Sequence, residues 1–469
     1  MGKLYRPATL ILFALLVCHS MVYGAPVEQA EFVEDRKTPG AWTFQFHGYA
    51  RLPVRFMDKP GGDQGPDLVD DNYGQSGFAY LRINETEWVE MTLSAVKGNT
   101  RVVSGVMANN LSDWSDRSGS SSTPAFAFVE HDSQLTKDIE LTTRVGMFWR
   151  RLGYLDAYDT YLIGRTHLAG AMLQLKAFDL IDIEAGLGAH DRNPREAFGF
   201  GPTNWFRAGI THLGSNVNGY FLKTTNEDND PSKSYTKTGD LAVIGFDANL
   251  VLKHFGRLEY IFSFIKANNA EFIGRGVELL HSLDGKNLKL NFLGSEQNGT
   301  GEIQNQGLDA TWVLSDTLDA FGSGSPAWLK GLELGLSGML SWVATPHEQA
   351  DVGDPGKNDR LYYKWGTDLR YKPLWLAKGR ALFACRYDRV VTHADQDSLS
   401  FRAISPRLGW MLNDGVTAFV QYSKYSYGDN VTAAYFSELA EKATRSGNAN
   451  LGETTPTDNV FKIQVQASW

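Results

Sequence analysis

The chain has 469 residues, a formal net charge of −9 and a hydrophobic fraction of 42%. The acidic balance argues against a nucleic-acid surface, and no apolar run beyond the N-terminus is long enough for a membrane-spanning helix. One of the two cysteines, Cys18, lies in that N-terminal segment, so the rest of the chain offers Cys385 no partner for a disulfide.

The N-terminal segment, residues 1–24, predicts a cleaved secretory signal. Basic Lys3 and Arg6 precede a short apolar run, and small residues stand before the expected cleavage point. The run is well short of the roughly 20 residues that a helical anchor needs. Lipid modification of Cys18 is a weaker alternative, because the preceding valine is unfavourable for it. We interpret residues 25–40 as an N-terminal extension.

From residue 41 onward the hydrophobic pattern has a period of two, which is typical of strands with one apolar and one polar face. In the first predicted strand the apolar positions are Trp42, Phe44, Phe46, Ala50, Leu52, Val54 and Phe56. The polar positions are Thr43, Gln45, His47, Tyr49, Arg51 and Arg55. One face of this strand is therefore suited to hydrocarbon and the other to water.

The same alternation recurs along the chain. It covers residues 288–292, 332–337, 416–423 and 460–469. The third of these segments follows Asn413-Asp414-Gly415, a tight-turn signal. Longer polar stretches separate other segments, at residues 58–76, 223–240, 345–360 and 425–459. The contrast between short turns and long polar stretches indicates a membrane barrel with long external loops at one end.

We therefore predict an all-β fold, a transmembrane antiparallel β-barrel formed by residues 41–469 as a single domain. Allowing roughly 10 residues per tilted strand plus connections, about 16 to 18 strands fit this length. The 19 Tyr, 26 Phe and 12 Trp are abundant enough for interfacial girdles. A barrel this wide encloses a channel. The sequence thus predicts a multi-pass transport protein in contact with the lipid of a bacterial outer membrane.

Inward side chains of the first two strands suggest the solute. Tyr49 and Arg51 lie on the polar parity of the first strand, and Trp88 and Glu90 on that of the next. Aromatic rings offer apolar faces to pyranose rings, while arginine and glutamate exchange hydrogen bonds with hydroxyls. A sugar pathway and a general-diffusion pore with wet walls and gap-filling aromatics are equally compatible with this chemistry.

Six residues of the first strand, Phe46-His47-Gly48-Tyr49-Ala50-Arg51, resemble the opening strand of the maltoporin family of trimeric sugar porins. Further segments similar to this family are 82–91, Asp113-Trp114, Pro124-Ala125-Phe126, 148–151, Asp156-Ala157-Tyr158, Tyr371-Lys372, Tyr387-Asp388 and 422–425. The similarity reaches both ends of the predicted barrel and is patchy in between.

The resemblance implies a channel in which a ladder of aromatic residues guides sugar rings past hydrogen-bonding charges at a constriction. Carried over by position, the stacking residues are Tyr49, Trp88 and Trp114. The constriction residues are Arg51, Arg82, Glu90, Arg151, Asp156 and Tyr158. The resemblance also implies oligosaccharide solutes, such as maltodextrins, and a homotrimer, because Trp114 is lent by the second loop of a neighbouring subunit.

Two departures from the family pattern leave the sugar open. Ala127 stands where an arginine is expected, and Ser468 replaces a penultimate tryptophan of the aromatic ladder. The pattern therefore also fits a different oligosaccharide or a weaker selectivity.

Enzyme chemistry is not predicted. The sequence has no Gly-x-Ser-x-Gly elbow, and none of its ten histidines makes a His-Glu-x-x-His pattern. We therefore assign no catalytic residue, no metal site and no cofactor. A structural or adhesive barrel with a plugged lumen is the remaining alternative.

Overall fold

A computed structural model of the chain describes residues 41–57, 88–109, 123–158, 160–190, 201–228, 237–268, 277–278, 301–344, 360–391, 400–428 and 459–469. Its strands are β1 (Thr43–Met57), β2 (Trp88–Lys97), β3 (Thr100–Asn109), β4 (Thr123–Thr136), β5 (Ile139–Leu155), β6 (Thr160–Ala177), β7 (Ile181–His190), β8 (Gly201–His212), β9 (Ser215–Asp228), β10 (Lys237–Leu252), β11 (Gly256–Asn268), β12 (Val277–Glu278), β13 (Gly301–Val313), β14 (Leu332–Ala344), β15 (Arg360–Tyr371), β16 (Ala381–Val391), β17 (Ser400–Asn413), β18 (Val416–Tyr427) and β19 (Asn459–Ser468). The helical elements are α1 (Leu314–Ala320) and 3₁₀ turns at Asp156–Tyr158, Ala327–Leu329 and Ala377–Gly379.

Within these ranges, none of the helices has the length and apolar character that crossing a bilayer requires.

The strands form one closed antiparallel barrel. Each wall strand pairs with its neighbours in the chain, and β1 pairs with β19 to close the ring. At the closure, the backbone N–H of Gly48 donates to the carbonyl of Trp469 at 2.9 Å, and Trp469 donates back at 3.0 Å. The two-residue β12 pairs with β6 and does not belong to the wall. Eighteen strands therefore make the wall, which confirms the predicted antiparallel all-β barrel and lies within the predicted range of about 16 to 18 strands.

Side chains alternate between the two faces of the wall as the sequence predicts. On β1, Phe44 is 70% exposed on the outer face, whereas Arg51 is 8% exposed on the inner face. On β19, Ile463 is 42% exposed, and its neighbour Gln464 is completely buried. A closed ring leaves no strand edge with unpaired backbone groups, which a barrel needs in a lipid environment.

The long polar stretches of the sequence are only partly loops. β9 continues to Asp228, β10 already begins at Lys237, and β18 extends to Tyr427. These polar residues stay in strands because a paired neighbour supplies their backbone hydrogen bonds, as between Lys237 and Asp228. The remainder of those stretches and the predicted strand at 288–292 lie outside the described residues.

One end of the barrel carries short turns, such as Gly98-Asn99 and Asp414-Gly415. Two larger connections lie at this same end, which we call the turn end. Residues 314–331 contain α1 and one 3₁₀ turn, and residues 372–380 contain another. The backbone N–H of Lys372 donates to the carbonyl of Gly331 at 2.8 Å, so the two connections lie side by side.

The hairpin of β5 and β6 leaves the wall and enters the lumen. Gly146, Gly153 and Gly164 along it have φ angles of 136°, 64° and 140°, which L-residues with a side chain rarely adopt. These glycines allow the bends that carry the hairpin inward. On the other side of the ring, the carbonyl of Leu162 accepts hydrogen bonds from the Ser263 hydroxyl at 2.5 Å and from the Asn305 amide at 3.4 Å.

The wall that receives the hairpin carries apolar residues on its inner face as well as on its outer face. β10, β11 and β13 bury Val243, Ile261, Ile265 and Ile303 on the inside, beside the polar Ser263 and Asn305. Wall glycines make room for the hairpin, because a Cβ at Gly245 or Gly307 would collide with Ile163 or Leu162. This packing fixes the hairpin against β10, β11 and β13 by the exclusion of water from apolar surface.

Candidate functional site: the lumen beside the hairpin

The tip of the hairpin lies on the far wall. Tyr158 is completely buried there, with its hydroxyl 3.5 Å from the carbonyl oxygen of Ser337 on β14. The ammonium of Lys364 on β15 lies 4.2 Å from the centre of the Tyr158 ring, and the Arg386 guanidinium lies 5.2 Å from it. Such contacts of cations with an aromatic face are attractive and gain strength when they are desolvated.

This position means that the hairpin crosses the lumen. β15 and β16 lie about half the ring away from β5 and β6 in either direction. The open space that remains includes a cavity of about 640 Å³ lined by β1 to β8. The candidate pathway therefore runs along this half of the wall.

Glu130 on β4 organises the first charged cluster of this half. It is 2% exposed and lies between two arginines, accepting a hydrogen bond from Arg101 on β3 and another from Nε of Arg144 on β5 at 2.7 Å. The Arg144 guanidinium also covers the ring of Phe128 at 4.5 Å. Because the guanidinium stacks on the ring, the wall presents a polar group above its aromatic side chains.

Glu184 on β7 organises the second cluster. It is 2% exposed and accepts from Arg150 Nε at 2.5 Å and from the Trp205 indole at 2.6 Å. Arg207 on β8 lies 3.8 Å from Glu184 and 2.5 Å from Asp182. Each buried carboxylate thus faces two guanidinium groups, the arrangement that makes a buried charge tolerable.

The charges that line this cavity balance. Six cationic side chains stand beside six carboxylates: Arg101, Arg144, Arg150, Arg151, Lys176 and Arg207 with Glu90, Glu130, Asp132, Glu140, Asp182 and Glu184. A wall of paired charges offers hydrogen-bond donors and acceptors to a polar solute while presenting no large net field.

Four of the sequence-predicted residues meet on β1 and β2. Tyr49 lies opposite Glu90 and Arg51 lies opposite Trp88 in the strand register, all on the lumen parity. Arg151 on the hairpin reaches Glu90, with Nη2 3.6 Å from Oε2. The structure therefore brings Tyr49, Arg51, Trp88, Glu90 and Arg151 to one side of the lumen.

Two predicted residues lie at the hairpin tip, on another part of the wall, and two lie outside the described residues. Tyr158 is buried against β14 to β16, and Asp156, two residues earlier on the same tip, accepts from the Tyr154 hydroxyl at 3.4 Å. Arg82 and Trp114 lie outside the described residues. The roles of all these residues in solute binding stay predictions.

Ala127 does not face the lumen, contrary to the expectation from the family resemblance. Ala127 lies on the outer face of β4, with the same parity as the 46% exposed Val129. An arginine at this register would point away from the lumen. Ala127 therefore does not represent a missing charge in the pathway.

Sequence reasoning missed the two buried carboxylates, Glu130 and Glu184. Their parity on predicted strands marks them as inward, since Glu130 alternates with the exposed Val129. Their arginine partners come from strands whose mutual register and bends only the fold defines, as with Arg150 on β5 and Glu184 on β7.

The chain matches no protein-family model and no curated protein. Solved structures with a similar fold include OccK11 (OpdR) of Pseudomonas aeruginosa, OccAB1 of Acinetobacter baumannii and OmpF of Salmonella typhi in complex with daunomycin. Their identities to the chain are 9%, 10% and 8%, with TM-scores of 0.43, 0.46 and 0.43. The matches cover 92%, 91% and 91% of this chain and 98%, 96% and 97% of the others. Likeness at this level carries no statement about a solute.

Proposed function

We propose that the protein is an outer-membrane porin, a channel for passive diffusion of small hydrophilic solutes. The observation that carries the proposal is the closed barrel with an apolar outer face and a lumen of paired charges, narrowed by its own hairpin. This polarity is the reverse of that of a soluble barrel and suits a pore in lipid. Conductance of the purified protein in planar bilayers tests it. A barrel that inserts but never conducts would favour the structural or adhesive alternative.

Sugars are the finer proposal for the solute. On adjacent strands Tyr49 lies opposite Glu90 and Trp88 opposite Arg51, so two aromatic residues and two hydrogen-bonding charges share one patch of the inner wall. The charge-balanced wall supports uncharged polar solutes such as oligosaccharides. A general-diffusion porin fits the same wall equally well, so titration of the bilayer current with several oligosaccharides has to distinguish the two.

Truncation of Trp88 is expected to weaken block by sugars. A stacked aromatic contributes roughly 1 kcal/mol, so Trp88→Ala should reduce affinity severalfold by the rule that about 1.4 kcal/mol is tenfold. Small-ion conductance should stay equal or rise. The matched control is Trp410→Ala, since Trp410 is 44% exposed on the outer face of the barrel. Unchanged block by every oligosaccharide in an open Trp88→Ala channel would identify a general-diffusion porin.

Removal of Arg151 is expected to change selectivity with little effect on stability. The Arg151 and Glu90 side chains are 22% and 21% exposed, and such partly solvated pairs contribute about 0–1 kcal/mol. Arg151→Ala removes the cation beside Glu90 in a narrow lumen, so the reversal potential in a salt gradient should shift toward cations. The control Lys253→Ala removes the same charge at an exposed turn and should leave the reversal potential unchanged. Equal shifts of the reversal potential in both variants would show that Arg151 does not act in the solute pathway.

The homotrimer stays a prediction of the family resemblance. We expect a mass of three chains in mild detergent, because a stacking role for Trp114 needs a second loop from another subunit. A strictly monomeric species that conducts normally would remove both the trimer and that role.

A further inference from the structure

A cationic and aromatic surface lies at the turn end, outside the lumen. It consists of Trp328, Lys372, Leu374, Trp375, Lys378 and Arg380, and we call it the turn-end platform. None of these residues lines the cavity beside the hairpin. The solute pathway therefore does not account for them.

The platform is held in place by hydrogen bonds between its two connections. The Tyr371 hydroxyl donates to the carbonyl of Trp328 at 2.6 Å and accepts from the Trp375 indole at 3.0 Å. Together with the bond from Lys372 to Gly331, these contacts tie residues 314–331 to residues 372–380. The exposed groups thus sit on a defined scaffold.

The scaffold keeps large apolar groups exposed. Trp328 is 62% exposed, Trp375 65% and Leu374 53%. Tyr371 forms hydrogen bonds with both tryptophans. Its ring packs against Phe383 on the outer face of the wall, with ring centres 6.5 Å apart. The platform is therefore continuous with the apolar outer face of the barrel, and exposed aromatic residues at the end of such a face are typical of a membrane interface.

Charge marks the platform among the turn-end connections that the structure describes. Residues 372–380 carry Lys372, Lys378 and Arg380 and no carboxylate. The other described connections at this end contain at most one lysine each, as in Lys137-Asp138.

The backbone of the platform is strained at one point. Lys378 has a left-handed φ of 56°, next to Ala377 at 48°. Non-glycine residues in this region are strained, and such strain persists where the surroundings fix it.

We propose that the turn-end platform binds the headgroup of an anionic phospholipid. Lys372, Lys378 and Arg380 contact the phosphate and the charged headgroup, while Trp375 and Leu374 insert beside the acyl chains. The inference rests on the proposed placement of the barrel in a membrane, because only there does the outer face adjoin lipid.

Native mass spectrometry of the full chain in mild detergent tests the proposal, with phosphatidylglycerol or phosphatidylcholine added. The wild type should retain phosphatidylglycerol at concentrations where phosphatidylcholine is lost. The combined variant Lys372→Ala, Lys378→Ala and Arg380→Ala should lose on the order of 100-fold in affinity for phosphatidylglycerol at low ionic strength. Trp375→Ala should weaken the binding of both lipids by a similar factor, since it removes no charge and takes away apolar contact that both lipids share.

The matched control removes three cations elsewhere at the turn end: Lys97→Ala, Lys137→Ala and Lys253→Ala. It should bind phosphatidylglycerol like the wild type. Equal losses in both triple variants would show a general charge effect and overturn the site, as would displacement of the lipid by millimolar inorganic phosphate. Failure to conduct in bilayers would instead refute the channel, and the lipid measurement in detergent would still stand on its own.

Discussion

Deletion of residues 152–163, which joins Arg151 to Gly164, is expected to raise the ion conductance of the channel several-fold. The removed tip crosses the lumen and packs against the far wall through Leu162 and Tyr158. A barrel of this width without an inner segment encloses an open aqueous channel. Single-channel recording in planar bilayers measures the change. Circular dichroism of the refolded variant verifies that the barrel itself persists.

A pair of leucines on β6 provides a matched point-mutant version of this experiment. Leu162 is 1% exposed where the tip meets Gly307, whereas Leu173 on the same strand is 52% exposed on the outer face. Leu162→Ala weakens the docking and should increase current noise and the frequency of larger conductance levels. Leu173→Ala should leave the current unchanged. A tip deletion that conducts like the wild type would show that the hairpin does not limit the pathway.

Replacement of Glu184 by glutamine is expected to destabilise the barrel strongly and to shift its selectivity toward anions. The carboxylate is 2% exposed and pairs with Arg150 and Arg207, so its loss takes this partner from Arg150, while Arg207 keeps Asp182. Removal of one partner from a buried ion pair costs about 3–5 kcal/mol. The unfolding temperature measures the stability. It is read from the change in gel migration between the folded barrel and the heat-unfolded chain. The reversal potential measures the selectivity.

Asp179→Asn is the control for charge, because Asp179 lies exposed in the turn between β6 and β7. It should change neither the unfolding temperature nor the reversal potential appreciably. The double variant Glu184→Gln and Arg150→Gln removes the unpaired cation as well and should recover part of the lost stability. A Glu184→Gln protein with the unfolding temperature of the wild type would mean that water or another group already compensates Arg150.

The sequence by itself determined the barrel. Alternation on β1 and β19 assigns Phe44 and Ile463 to the outside and Arg51 and Gln464 to the inside, and the structure places them there. This works because the side-chain period of a strand is two, so a single register decides which face every residue occupies. The pairing of β1 with β2 likewise places Tyr49 opposite Glu90, as inward parity on neighbouring strands suggests.

The structure of the lumen was decided by tertiary contacts. Val243, Ile261 and Ile303 break the alternation because the hairpin covers them from inside, and no local pattern announces a partner that arrives from across the barrel. No local pattern indicates the partners of Glu184 either, because its arginine and tryptophan come from β5 and β8.

Tertiary structure also decided where individual residues act. Position 127, where the family pattern has an arginine, belongs to the outer face, and Tyr158 packs against β14 to β16, away from Glu90 and Arg151. The platform at residues 372–380 forms only because Tyr371 ties it to Trp328 in the neighbouring connection. Periodicity reports which face of a strand meets lipid, whereas the path of a hairpin and the partners of a buried charge depend on contacts between residues far apart in the chain.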